Sequence, residues 1–362
     1  MYGNANPNLN LIDRFEDWWR RDNKGLPLMR VIAQRDDVNI PMPTPKSYEA
    51  RYIDPEYLLA KHEASIQNNV YLADSYAELA GNIGPGCLAV YLGSEPQFAF
   101  NTVWYTPCID DLETRAPLAF DPENKWWRRH FELLKTLKEY AGDEYPVNIP
   151  DLVENIDILS AMRGPQELMF DMMDAPEKVE QAVAEIDEAY FKYYDTIYDL
   201  VKLPEGISSY YCFQILGRGR VAKVQCDASA LISPEQFRRF ALPSLRKQVR
   251  RLDHSIYHLD GPDAIRHVPA LMELEELDAL QWTCGAGQPD GACPKWYGIY
   301  DQVAAAKKSL WVQIGDGGID DWIRGADSLI DRYDKKMFYF LFPTMSLKDA
   351  DKLLNFAHTH WE

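Results

Sequence analysis

The chain has 362 residues, 46% of them hydrophobic and 12% aromatic, enough to bury a large core and to exclude disorder. Its formal charge of −18 argues against nucleic acid and anionic membrane surfaces as partners. No apolar run reaches the roughly 18 residues of a membrane span. The opening Met1-Tyr2-Gly3-Asn4 carries neither a basic nor an apolar leader region, and six cysteines without a Cys-x-x-Cys spacing read as the reduced thiols of a cytoplasmic protein.

In chain order, Leu11 to Arg21 is amphipathic, with Leu11, Phe15, Trp18 and Trp19 on one stripe, and predicts a helix. Leu28 to Ile32 predicts the first strand. Asp54-Pro55-Glu56 predicts the start of a helix through about Ala77, with Asp54 as cap. Residues 81–120 lack helical period and are rich in Gly, Pro and aromatics. They predict a β-meander or long loop inserted over one end of the fold, either a pocket wall or a structural excursion. Trp126 to Gly142 predicts a helix and Tyr145 to Pro150 a short strand. Asp174-Ala175-Pro176-Glu177 reads as a capping box opening a long helix whose stripe, from Val179 to Ile197, belongs to the core.

From Val221 the pattern repeats. Strands are expected at 221–226, 255–260, 279–282, 310–314 and 337–341. Helices intervene: one opens at the Ser233-Pro234-Glu235-Gln236 box and kinks at Pro243, and others cover 264–271, 294–307 and 319–333. A last helix is capped by Ser346. Almost continuously apolar strands spaced about 25 to 35 residues apart are the signature of parallel βα units. The fold class expected is α/β, a (β/α)8 TIM barrel: one domain over residues 1–362 with an N-terminal helical extension and the β-rich insertion at 81–120. An open doubly wound sheet is the alternative. Gly217-Arg218-Gly219 precedes a strand rather than opening a helix, so it gives that alternative no nucleotide-binding turn.

In a barrel the strand C-termini share one pocket. Read off in order, they carry Cys226 and Asp227, then His258 and Asp260, then Trp282, Thr283 and Cys284, then Asp316, then Thr344. His258 and Asp260 are two apart on an extended chain, so they point to one side, and Gly261-Pro262 ends their strand. Thiolate, imidazole and carboxylate all bind zinc, which makes His258, Asp260, Cys226 and Cys284 candidate ligands. The alternatives are a structural His–Asp pair and ordinary core cysteines. His258, Asp260 and Asp316 are the candidate catalytic groups, and Trp282, Gln281 and Gln313 the candidate substrate contacts. His130, His358 and His360 are expected on solvated helix faces, and His267 inside a helix. Gly285-Ala286-Gly287-Gln288 and Gly315-Asp316-Gly317-Gly318 are either anion-binding or plain tight turns.

Three blocks carry a resemblance: Leu231-Ile232-Ser233-Pro234-Glu235-Gln236-Phe237 with Pro243; Tyr257-His258-Leu259-Asp260-Gly261; and Asp278-Ala279-Leu280-Gln281-Trp282 with Gly285-Ala286-Gly287. A weaker block ends in Met162-Arg163-Gly164. In these the chain resembles the uroporphyrinogen decarboxylase superfamily, which includes cobamide-dependent methyltransferases. The similarity spans residues 150–362, while residues 1–150 diverge. The resemblance implies the same barrel, with its pocket at the strand ends. The decarboxylases carry an N-terminal motif resembling Met-Arg-Gln-Ala-Gly-Arg that holds substrate carboxylates. This chain offers Met29-Arg30-Val31-Ile32-Ala33-Gln34-Arg35, without the Gly.

The methyltransferase branch has a His-x-Cys zinc motif where His258-Leu259-Asp260 stands, and a further Cys near the last strand, where Phe340-Leu341-Phe342-Pro343 has none. What the resemblance implies is a methyltransferase that moves methyl from a small methylated substrate to a corrinoid, with zinc as Lewis acid. An Asp-x-His-x-x-Gly corrinoid signature is absent, so the corrinoid is expected on a separate partner protein. The superfamily's habit implies a homodimer. A metal-free decarboxylase or lyase is the first alternative, and a non-catalytic small-molecule-binding barrel the second.

Overall fold

The computed structural model describes residues 7–362; the opening residues read above for a leader lie outside that range. The architecture is mixed α/β, with fourteen α-helices among the described residues. The strands, in chain order, are β1 (Leu28–Gln34), β2 (Asn69–Ala73), β3 (Glu95–Phe98), β4 (Val103–Thr106), β5 (Ile207–Tyr210), β6 (Ile215–Arg218), β7 (Val221–Gln225), β8 (His254–Asp260), β9 (Ala279–Thr283), β10 (Ser309–Gln313), β11 (Phe338–Leu341) and β12 (Met345–Ser346). By internal contacts the chain forms two compact units. The first comprises the described chain up to Pro43, Ala60–Glu78 and His254–Glu362. The second comprises Thr44–Leu59 and Leu79–Asp253.

The first unit is organised on a mostly parallel sheet in the order β12-β1-β11-β10-β9-β8, with β2 antiparallel on β1. Strands β9, β10 and β11 are buried along nearly their whole length, as strands covered on both faces must be. Between them run the turns and helices that the repeat predicted. Gly261, at φ +77, ends β8 and donates its amide to Thr283 O at 3.0 Å. Pro262 then opens a short 3-10 turn that leads into the helix Val268–Met272. The amphipathic helix Leu9–Trp19 buries Leu11, Phe15, Trp18 and Trp19, and its Trp18 indole donates to Met337 O at 3.0 Å.

Two expectations fail here. The helix opened by Pro55 stops at Asn68 rather than Ala77, because Val70, Tyr71 and Leu72 pair with Ala33, Ile32 and Val31 of β1. β-branched and aromatic residues gain more on a pleated surface than in a last helical turn. The helix 294–307 resolves into a 3-10 turn and Tyr297–Ala305.

The first unit also contains a carboxyl group that opposes folding. Asp278 accepts the Ser255 amide at 2.8 Å, yet burial raises its pKa to about 6. The native state therefore holds a proton that the unfolded chain releases near pH 4. Stability should fall as pH rises from about 4 to about 6 and then level off. Asp278→Asn is expected to flatten that segment of the urea-midpoint profile; an unchanged slope would show that Asp278 does not titrate there.

The second unit is helical around two hairpins, β3–β4 and β5–β6, with β7 beside the β5–β6 hairpin. The β3–β4 hairpin is the β-rich part of the expected insertion. Gly84 lets it pack closely: at φ +99 a Cβ there would lie 2.6 Å from Val103 Cβ. The 145–150 segment forms only single bridges, Leu79 to Val147 and Ile149 to Tyr210. The Asp174 capping box does not form, since Asp174 still belongs to the helix Pro165–Asp174. The next helix, Pro176–Val201, starts at Ala175 without a side-chain cap but buries the predicted stripe. The Ser233 box forms as expected, and the chain breaks at Ala241 ahead of Pro243, giving the helices Pro234–Phe240 and Leu242–Val249.

Candidate active site

In the first unit the parallel register sets His258 of β8 beside Gln281 of β9, and Asp260 beside Thr283. The His258 Nδ1–H donates to Gln281 Oε1. Gln281 is 2% exposed, and its amide N–H donates to Thr283 Oγ1 at 2.9 Å, which fixes the amide orientation. With Nδ1 carrying the proton, the lone pair of the neutral ring is on Nε2. A histidine oriented through its other nitrogen by a buried carbonyl is the arrangement that metal-ligating imidazoles use. Asp260 is exposed at the end of the same strand. His258 is only half-buried, so ring and carboxylate sit where β8 gives way to its loop.

The remaining residues expected from the first unit divide by environment. Trp282 is 2% exposed and packs edge-on against Trp296 at 5.0 Å. Gln313 and Asp316 are exposed. Asp316 is tied to Asp290: the Asp290 amide donates to Asp316 Oδ2 at 2.9 Å, and Asp290 Oδ2 accepts the amides of Gly315 at 2.8 Å and Asp316 at 2.9 Å. The Gly315–Gly318 turn is thus held by a neighbouring carboxylate. Cys284 lies close to both acids. Burial, reinforced by Asp290 and Asp316, pushes its thiol up to about 12, so it is protonated at neutral pH. Asp290 was not singled out from the sequence, although Pro289-Asp290-Gly291 is a turn signature.

In the second unit, Cys226 follows β7 and is buried, which raises its thiol well above the usual range. Asp227 opens the 3-10 turn Asp227–Leu231. Here the structure shows a polar network that the sequence reading missed. Lys223, in the middle of β7, is 2% exposed and pairs with the equally buried Asp151 at 2.6 Å. It also donates to Gln225 Oε1, which turns the Gln225 amide N–H groups toward Asp227 Oδ2 at 2.9 Å and Asp157 Oδ2 at 3.2 Å. Asp157 accepts in addition the amides of Asp227 at 2.7 Å and Ala228 at 2.8 Å. Burial, then the charge of Asp227, raises the Asp157 pKa; burial raises that of Glu154, which takes the Gln225 amide at 3.0 Å. A lysine inside the apolar run Val221-Ala222-Lys223-Val224 was the available signal, since unpaired lysines are almost never fully buried.

His130, expected on a solvated face, is 1% exposed. Its Nε2–H donates to Gly81 O at 3.0 Å, its Nδ1 accepts the Tyr91 hydroxyl, and burial lowers its pKa to about 4. It is a neutral structural group. His267, expected inside a helix, is buried at the end of the 3-10 turn Pro262–His267, and His358 and His360 are exposed, as expected.

No protein-family model and no curated protein matches the sequence. Solved structures do match in fold. A methyltransferase from Methanosarcina mazei aligns over 97% of this chain and 99% of its own, at 14% identity and a TM-score of 0.63. A B12-independent methionine synthase from Shewanella sp. W3-18-1 aligns over 92% of this chain and 95% of its own, at 8% identity and a TM-score of 0.51. At these identities the likeness is one of fold, and residue roles rest on the geometry above. No described helix is long and apolar enough to cross a membrane.

Proposed function

We propose that the chain is a methyl-transfer enzyme that moves a methyl group from a small methylated substrate to the corrinoid of a partner protein, with zinc at His258 and Asp260. The observation that carries this reading is the orientation of His258 by Gln281, next to a carboxylate on the same strand end. Zinc held there supplies Lewis acidity toward a substrate heteroatom. The chain's own residues do the positioning. Gln281 keeps the His258 proton on Nδ1, and Thr283 keeps Gln281 from turning. Gln313 and Asp316, exposed on the next strand end and its turn, are the groups we assign to meet the substrate. Cys226 and Cys284 remain part of the proposal only as thiols that a cation must deprotonate first. The proposal includes closure of the parallel strands into a (β/α)8 barrel, a homodimer, and a cytoplasmic location.

The test is to mix the protein with a reduced corrinoid protein and a panel of methyl ethers, methylamines and methyl thioethers. Growth of methyl-Co(III) absorbance with at least one donor is the expected result. Silence across the panel, with zinc-replete protein, overturns the reading.

A further inference from the structure

The first unit contains a cavity of about 530 Å³ at the helix Leu9–Trp19, within the size range of small-ligand sites. Leu11, Met29, Tyr71, Leu72 and Leu354 supply its apolar lining. Among the described residues, its acidic and basic side chains are Arg14, Asp74, Glu362 and His358, the last lying 3.7 Å from Glu362. Asn8 lines it as well, and none of these groups belongs to the strand end that carries His258.

Most of the polar groups there are already spent. Arg14 pairs side-on with Asp74: its Nε–H donates to Oδ1, and its Nη2 donates to Oδ2 at 2.9 Å. Nη2 also reaches Leu26 O and Pro27 O, at 3.2 Å each. Asp74 Oδ2 takes the Met29 amide at 2.9 Å. Ser75 Oγ accepts the Val31 amide at 2.7 Å and donates to Val31 O at 2.9 Å. Asn8 Oδ1 caps the helix by accepting the Leu11 amide at 3.0 Å. The surplus is made of donors. Both N–H groups of Arg14 Nη1, and those of Asn8 Nδ2, have no partner among the described residues. The pair with Asp74 and the two backbone carbonyls fix the guanidinium plane, so Nη1 is held in one orientation.

Charge then selects among ligands that accept hydrogen bonds. Burial works against the Arg14 charge, but the bond to Asp74 and the charges of Asp74 and Asp17 more than offset it. The guanidinium is therefore ionised, and its charge is already matched. A carboxylate or phosphate would add a negative charge beside Asp74, Asp17 and Glu362. A cation would bring donors to a surplus of donors. A neutral carbonyl supplies acceptor lone pairs at neither cost, and an apolar body attached to it covers the apolar lining.

We propose that this cavity binds a small neutral molecule that carries a carbonyl group on an apolar body, the class of simple amides and esters, with the carbonyl oxygen on Arg14 Nη1. The inference requires neither methyl transfer nor a metal at His258.

The experiment is a saturation-transfer NMR titration of the full chain with three probes of one shape: benzamide, benzoate and benzamidinium. Benzamide is expected to bind at least about threefold more tightly than either ion. At Gly25, which lines the cavity, an added Cβ would meet nothing within 4 Å, so Gly25→Leu should fold normally and fill the space. It is expected to abolish benzamide binding. Arg14→Lys keeps a cation for Asp74 but gives up the planar fork, and is expected to weaken benzamide about 2- to 10-fold. Circular dichroism checks the fold of both variants, and Gly25→Leu decides the question by itself if Arg14→Lys is misfolded. Absence of benzamide binding, binding no tighter than that of either ion, or binding that survives Gly25→Leu unchanged each overturns the proposal. None of these readouts involves a corrinoid or zinc, so this inference and the proposed function stand or fall separately.

Discussion

Replacing His258 with alanine is expected to strip the protein of zinc and to slow methyl transfer by more than about 100-fold, beyond the 10- to 100-fold usually lost when only a residue orienting a ligand is changed. The imidazole is the one group of the strand end whose hydrogen bonding selects a single ring nitrogen for a metal. Gln281→Leu separates orientation from ligation. It keeps the imidazole and removes the carbonyl that holds Nδ1–H, so zinc affinity should fall by about 10- to 100-fold while some metal is retained at high zinc. Elemental analysis after dialysis and a competition titration with a chromophoric chelator read both effects, with circular dichroism as the folding control. Full zinc stoichiometry in the alanine variant would place the metal elsewhere and remove His258 from the mechanism.

Lys223→Met is expected to cost about 3–5 kcal/mol of stability, the usual penalty for leaving one member of a buried ion pair without its partner. Both side chains are 3% exposed, so water cannot take over from the missing ammonium. The pair also sets the Gln225 amide, and through it the carboxylates of Asp157 and Asp227. The double variant Lys223→Met with Asp151→Asn should recover part of the loss, because no uncompensated charge is then buried. Urea unfolding of the four proteins of this cycle measures the coupling. A single-variant loss below about 1 kcal/mol would mean that the pair is hydrated in solution.

The regular part of the fold was legible because its forces are local. Apolar runs such as Leu310-Trp311-Val312 need no partner to announce a strand covered on both faces, and Ser233-Pro234-Glu235-Gln236 carries both halves of its cap within four residues. What was missed depends on distant partners. Residues Val70–Leu72 extend a helical pattern and become β2 only because β1 is available. Asp174 has the spacing of a cap but is claimed by the preceding helix. His130 reads as surface until Tyr91 and Gly81 occupy both its nitrogens. At the site, the alternation of His258 and Asp260 was visible in the sequence. The role of Gln281 was not, because register between β8 and β9 decides which side chain stands beside His258. Lys223 could have been flagged as anomalous, but its partner Asp151 lies in an irregular segment that no periodicity marks.

The pairing of β1 bears on how the chain is made. Leu28, Met29 and Arg30 find their neighbours at Tyr339, Phe340 and Leu341, and Ala33 and Gln34 find theirs at Met345 and Ser346. A ribosome delivers the first of these strands long before the other two. Until then β1 has β2 for company and an open edge, a state in which nascent chains recruit chaperones or aggregate. Every residue of the second unit has emerged by Asp253, so its contacts are available well before that sheet can be finished. Closing it joins segments far apart along the chain, and a truncation ahead of Phe338 would leave the first strand with β2 alone, without β11 and β12.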